Sequence, residues 1–182
     1  MNAELVSSEL GSEPSWSRPS LTEASNDLPS WWNHPPCRLA VGQVSRSGEG
    51  AARGFGSVPG SVRRAREFVA SVLGEWDAEA VSEDVRLIVS EFVGNSCRHA
   101  SPRDADPEGV PVVVELRRLG LRGGVLCMVT DSSRRAPVKM DAHHFAESGR
   151  GLGLVAAFSR EWGWNPLVGG GKVVWAVCGG EA

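Results

Sequence analysis

Two consecutive stretches of the chain place apolar residues at steps of three and four, the spacing of a buried helix face. The first begins at Pro59 and Ser61, and its apolar stripe comprises Val62, Ala65, Phe68, Val69, Val72, Leu73 and Trp76. The second runs from about Ala78 to Ala100, and its stripe comprises Val81, Val85, Ile88, Val89 and Phe92. Two such helices must bury their stripes against another layer of secondary structure.

That other layer is predicted to be a β-sheet. Residues 110–119 and 124–131 are two apolar runs joined by a short turn, which predicts a hairpin. Further strands are predicted at 37–44, around 165–168 and at 172–178, with a loop over 46–60 and a Gly-opened helix over 151–163. We therefore expect an α+β fold, a two-layer sandwich with a mixed, mostly antiparallel sheet and helices on one face.

The first 35 residues differ from the rest of the chain. They hold five acidic residues against one basic residue, are rich in Ser and Pro, and show no helical or strand period. We interpret residues 1–35 as a disordered acidic tail and residues 36–182 as one domain. Trp31 and Trp32 near the end of the tail are suited to docking, on their own domain or on a partner, and we favour their own domain.

Composition excludes several classes of protein. A net charge of −3 argues against a protein that coats nucleic acid or anionic membrane. No apolar run approaches the roughly 20 residues that span a bilayer, and the N-terminus lacks a basic leader, so we expect a cytoplasmic protein without membrane contact. The four cysteines are scattered, which favours reduced thiols over a disulfide framework or zinc site.

The second helix carries polar residues beside its apolar stripe. At about 100° per residue from Ile88, Glu91 lies at about 300°, Asn95 at about 340° and Arg98 at about 280°. A solvated helix face would explain Glu91 and Arg98, but Asn95 stands where an apolar side chain would be expected. An amide oxygen suits Mg²⁺, and a carboxylate one turn earlier can orient water or accept a proton.

Two further features are suited to nucleotide binding. Asp131 ends an apolar strand, where its carboxylate can accept a hydrogen bond from an exocyclic amine such as that of adenine, or simply begin a turn. Gly149, Gly151 and Gly153 open a helix, where backbone N–H groups favour phosphate, although the glycines would also suit a flexible loop. The segment fits neither a Rossmann fingerprint nor a P-loop.

In this order, the three features resemble the GHKL ATPase superfamily, over residues 58–178. Its layout appears here as E-x-x-x-N-x-x-x-H on a helix, Asp at a strand end, and then G-x-G-L-G-L. The stretches VRLIVSEFVGNSCRHA, MVTDSS, SGRGLGLVAAFSREWGW and GKVVWAV resemble the small bacterial branch that contains the anti-sigma factor serine kinases. The resemblance implies a Bergerat-type fold that binds ATP beneath a mobile lid, residues 132–148.

The resemblance also implies roles for individual residues. Asn95 would coordinate Mg²⁺ on the ATP phosphates, Glu91 would be the general base for the attacking hydroxyl, and Asp131 would bind the adenine amino group. The phosphates would be wrapped by Gly149, Arg150, Gly151, Leu152 and Gly153.

Two further residues at the end of the second helix match family positions near the nucleotide. They are Arg98 and His99, and their roles are less defined. His99 lies at about 20° on the helix, which points its side chain towards the core and makes a structural histidine the alternative.

As a function, the resemblance implies a Mg²⁺–ATP-dependent protein serine/threonine kinase acting on an anti-sigma-factor antagonist in transcriptional regulation. Its partners would be that antagonist or a sigma factor, with no direct contact with nucleic acid, and a homodimer would be compatible. The sequence departs from the pattern at Ser132 and Ser133, because relatives commonly carry a glycine within two residues of the aspartate, and at Lys172, where many carry a small hydroxyl residue. The altered segment after Asp131 and the arginine-rich lid favour the alternative of a nucleotide-gated regulator without phosphoryl transfer. A domain that no longer binds nucleotide is a third alternative.

Overall fold

The computed structural model describes residues 36–100, 106–120, 124–137 and 151–180. The tail predicted over residues 1–35 lies outside these ranges, as do residues 138–148 of the predicted lid. The helices are α1 (Gly60–Glu75), α2 (Ser82–His99) and α3 (Gly151–Phe158), and a 3-10 turn over Glu79–Val81 leads into α2. The strands are β1 (Val44–Arg46), β2 (Gly50–Gly56), β3 (Pro111–Leu119), β4 (Gly124–Asp131), β5 (Glu161–Pro166) and β6 (Lys172–Cys178).

The six strands form one sheet in the order β1-β2-β3-β4-β6-β5. All five pairings between these described strands are antiparallel, so the α+β fold is confirmed but the expected mixed character of the sheet is not found among them. Connectivity explains three of these pairings, since β1–β2, β3–β4 and β5–β6 are each joined by a short connection that reverses the chain. The β2–β3 and β4–β6 pairings join strands that are separated along the chain by helices.

The sheet has two buried faces. On the helix face, alternate strand residues pack with α1, α2 and α3 into the main core, which includes Phe68, Ile88, Phe92, Val114 and Val129. The opposite face, called the back face here, holds a second buried apolar cluster on β4 and β6. Its members are Leu126, Met128, Val173, Trp175 and Val177.

The predictions for residues 37–60 are wrong in two places. The strand expected over 37–44 begins only at Val44, because the chain turns just before it: the Gln43 N–H donates to the Ala40 carbonyl, and Gly42 has a positive φ of 83°. Further back, the Cys37 N–H donates to the Glu115 side chain. The loop expected over 46–60 contains β2, whose Gly- and Ala-rich sequence has weak strand propensity. Pairing with β1 on one side and β3 on the other overrides that propensity.

The helix predicted over 151–163 is too long. It ends at Phe158, and β5 begins at Glu161. Trp162 and Trp164 both pack against the helix-face core, which is the two-residue alternation of a strand. No helix in the described ranges has the length and hydropathy needed to cross a bilayer.

Candidate functional site

The polar edge of α2 meets the first residue of α3. Glu91 is partly buried, and its carboxylate lies so close to Gly151 that a Cβ at that position would overlap it. Asn95, one turn further along α2, is also partly buried, and its Oδ1 accepts a hydrogen bond of 2.7 Å from the Arg98 guanidinium. The fold therefore brings together the helix motif and the glycine segment, which lie 56 residues apart at Asn95 and Gly151.

Asp131 lies at the other end of this region, in a buried polar network. Its side chain is 1% exposed, and its Oδ1 accepts a hydrogen bond of 2.8 Å from the Lys172 ammonium and one of 2.9 Å from the Ser133 N–H. Its Oδ2 accepts a hydrogen bond of 2.7 Å from the Ser96 hydroxyl, which lies on the helical turn that carries Asn95. An ionised carboxylate offers about four acceptor positions, so these three partners leave about one for a ligand.

The ammonium of Lys172 is held beside Asp131 by the turn between β5 and β6. Gly169, Gly170 and Gly171 all have positive φ, of 87°, 106° and 86°, which side-chain-bearing residues rarely adopt. A Cβ at Gly171 would overlap the Asp131 carbonyl oxygen, so the turn also needs glycine for close approach. As a result β4 and β6 pair Asp131 directly with Lys172, whose side chain is only 8% exposed.

The remaining predicted site residues are spread around this region. Leu152 is buried in the main core and Gly153 is exposed, with open space where its side chain would be. Gly149 and Arg150 lie outside the described residues. Arg98 and His99 are both exposed, so the inward orientation expected for His99 is wrong: it is the last residue of α2, where the helix leaves the core.

Three members of the Asp131 network were not among the predicted site residues, namely Ser96, Ser133 and Lys172. Ser96 lies at about 80° on the helix, inside the apolar stripe. A hydroxyl residue at that angle is the sequence feature that could have indicated its role. Ser133 donates to the carboxylate two residues before it, so Asp131 also has the turn-forming role that the sequence left open. Lys172 had been noted only as a departure from the family pattern.

The donor groups present fit Mg²⁺ and an anionic ligand. The amide oxygen of Asn95 is a hard donor, and Mg²⁺ is usually held by one or two protein ligands together with substrate phosphates. The described residues contain no cluster of three or more His, Cys, Asp or Glu that would form an all-protein metal site. The Asn95 oxygen accepts one hydrogen bond from Arg98 and keeps a second lone pair for a cation, and the neighbouring guanidinium could pair with phosphate.

Two other features of the described chain lie apart from this chemistry. A cavity of about 380 Å³ is lined by residues of β1, β2 and β3, among them Glu115 and Arg117, and by Cys37 and the β1–β2 turn, and none of its lining residues belongs to the predicted site. The four thiols are free. Burial raises the pKa of Cys97, and a hydrogen bond with Cys178 together with burial raises the pKa of Cys127 well above its usual value, so neither is suited to act as a thiolate nucleophile.

Comparison with known proteins bears on the same part of the chain. A family model described as the histidine kinase-like ATPase domain matches residues 55–178, more than half of the chain. The match spans α1 to β6 and includes the α2 edge, Asp131 and the Gly151 region. A search of curated proteins finds no match.

Proposed function

Because the chain belongs to the histidine kinase-like ATPase domain family, we propose that it is a Mg²⁺–ATP-dependent protein serine/threonine kinase with a regulatory role. The membership itself supports an ATP-binding domain. The substrate class proposed is a small protein with an acceptor Ser or Thr, of the anti-sigma-factor antagonist kind that the sequence resemblance implies. A sigma factor is the proposed regulatory partner.

In the proposed reaction, Glu91 accepts the proton of the acceptor hydroxyl. The hydroxyl oxygen forms a bond to the γ-phosphorus, the bond from that phosphorus to the β–γ bridging oxygen breaks, and ADP leaves. Bound Mg²⁺ would offset negative charge on the phosphates. Asn95 would supply its amide oxygen to the metal, and Asp131 would use its remaining acceptor position for the base amine.

One observation carries this proposal, the contact between the Glu91 carboxylate and Gly151. It joins a proton acceptor on α2 to the start of α3, where backbone N–H groups favour a phosphate. Within the described ranges no cation pairs with Glu91, whereas Glu75, Glu83, Glu115 and Asp131 each pair with one. In the proposed reaction, this position suits the Glu91 carboxylate to accept the substrate proton.

The direct experiment is incubation of the protein with labelled ATP, Mg²⁺ and candidate antagonist proteins. Label recovered on a serine or threonine of the acceptor, dependent on Mg²⁺, supports the kinase. ATP binding without any labelled acceptor would reject the catalytic part of the proposal.

A pair of glycine substitutions offers a sharper test of the Glu91–Gly151 contact. In Gly151→Ala the new methyl group displaces the flexible end of Glu91, so we expect transfer to fall at least tenfold, with little loss of stability. Gly153→Ala is the matched control, since it adds the same methyl group to the same helix in open space. Phosphorylation rates and thermal unfolding of both variants measure this, and equal rates would remove the contact from the proposed mechanism.

A second function is favoured by the Asp131–Lys172 pair. The carboxylate proposed for base recognition is already neutralised by a buried cation, and this suits a regulator whose nucleotide binding rearranges the site without phosphoryl transfer. Here ATP would order the lid and create or mask a partner surface. Partner affinity that changes with ATP, in the absence of labelled acceptor, would favour this function over the kinase.

A further inference from the structure

The back-face cluster of β4 and β6 is buried although no helix of the described chain contributes to it. Leu126, Met128 and Val173 are 0% exposed, and Trp175 and Val177 are 6% and 7% exposed. The two partly buried side chains packed against the cluster, Leu119 and Leu167, come from its margins. Large apolar side chains on a sheet face reach such burial only when another part of the protein covers them.

The described residues just before β1 show which way the chain crosses this face. The carbonyl of Ala40 lies against Gly54 of β2, so closely that a Cβ there would overlap it, and Gly54 shares the back face with Glu115 through the β2–β3 register. Three residues earlier, the Cys37 N–H donates a hydrogen bond of 2.8 Å to the Glu115 carboxylate of β3. The chain traced backwards therefore passes from β2 to β3, towards β4 and β6.

A long side chain extends this path to the far side of the cluster. The Arg38 guanidinium donates a hydrogen bond of 2.7 Å to the carbonyl of Val168, in the turn that joins β5 to β6. The backbone near Cys37 and the guanidinium of Arg38 thus contact both sides of the region where the cluster lies.

We infer that residues 28–35, which carry Trp31 and Trp32, cover the back-face cluster. Neighbouring strands are about 4.8 Å apart, so β6 lies about 10 Å beyond β3, a distance that about three extended residues span. Trp31 and Trp32 lie six and five residues before Cys37, within that reach. Pro35 and Pro36 favour the extended backbone that such a crossing needs.

The side chains of residues 28–35 and of the back-face cluster are also chemically complementary. Each indole buries about 150–250 Å², and its polar N–H suits the margin of a sheet where one side is wet. Met128 offers a flexible thioether, which packs well against aromatic rings. A segment joined to the domain through Cys37 has an effective concentration in the millimolar range, which favours it over a second copy of the chain.

The methyl group of Met128 provides a direct probe, because the chain has only three methionines. In the full chain labelled with ¹³C-methyl methionine, we expect nuclear Overhauser effects between the Met128 methyl group and the indole protons of Trp31 or Trp32. The Met128 signal is assigned with Met128→Leu, and the indoles with Trp31→Phe and Trp32→Phe. In Trp31→Leu/Trp32→Leu the Met128 resonance should shift, and amides of β4 and β6 should exchange faster with solvent.

The matched control is Trp16→Leu, which removes an indole from the same N-terminal region but outside residues 28–35. It should leave the Met128 signal and the amide exchange unchanged. An unshifted Met128 resonance in the double variant, without indole contacts in the wild type, would overturn the inference. Contacts seen only between differently labelled copies would also overturn it and assign the cover to a second copy.

Discussion

Replacing Glu91 with Gln is expected to lower phosphoryl transfer about 10²–10⁴-fold, the usual contribution of a positioned general base. The amide keeps the size of the side chain and its place beside Gly151 but cannot take the hydroxyl proton. Affinity for Mg²⁺–ATP should change little, because the proposed metal ligand is Asn95. The measurement is the single-turnover rate of acceptor phosphorylation at saturating ATP, with nucleotide affinity determined separately.

Glu83→Gln is the matched control for this substitution. Glu83 is on the same helix, but it is exposed and pairs with Arg86 on the α2 surface. The control should transfer phosphate at the wild-type rate. Undiminished transfer by Glu91→Gln would show that another group accepts the proton, and a wild type without any transfer would favour the nucleotide-gated regulator.

The second large effect is expected on stability, from Lys172→Met. This substitution leaves the Asp131 carboxylate buried without its cation, and breaking one side of a buried ion pair costs about 3–5 kcal/mol. In Asp131→Asn/Lys172→Met the uncompensated charge is gone, so most of that free energy of unfolding should return. Chemical denaturation of the single and double variants at neutral pH measures both values.

The surface pair Arg63–Glu67 supplies the comparison. Its side chains are 82% and 61% exposed, so Arg63→Met should lower the free energy of unfolding by no more than about 1 kcal/mol. If Lys172→Met lowers the free energy of unfolding as little as Arg63→Met does, the Asp131–Lys172 pair does not stabilise the fold as expected.

The sequence predicted the helical layer and the central hairpin well, because each of these elements shows its apolar pattern within one continuous stretch of the chain. It missed β2, whose strand character comes from pairing with β1 and β3 rather than from its Gly- and Ala-rich residues. It also extended the Gly-opened helix through Trp162, because the contacts that make β5 a strand are with β6 and the core.

For the candidate site, the sequence predicted Glu91, Asn95 and Asp131, and the fold places Glu91 against Gly151. The Asp131–Lys172 contact could not be predicted from spacing, since 41 residues separate the pair and the strand register aligns them. The same applies to Ser96, whose hydroxyl faces Asp131 only because α2 packs on β4. Contacts between distant segments depend on packing, and local patterns do not encode them.

The central claim is that this chain binds Mg²⁺–ATP at the edge of α2, and calorimetric titration of the wild type and Asn95→Ala tests it. The wild type should bind one ATP per chain in the presence of Mg²⁺ and more weakly when the metal is chelated. Asn95→Ala, shown to be folded by its circular dichroism, should bind at least about tenfold more weakly, because the metal loses a protein ligand. Equal affinities, or no heat of binding in either protein, would contradict the account.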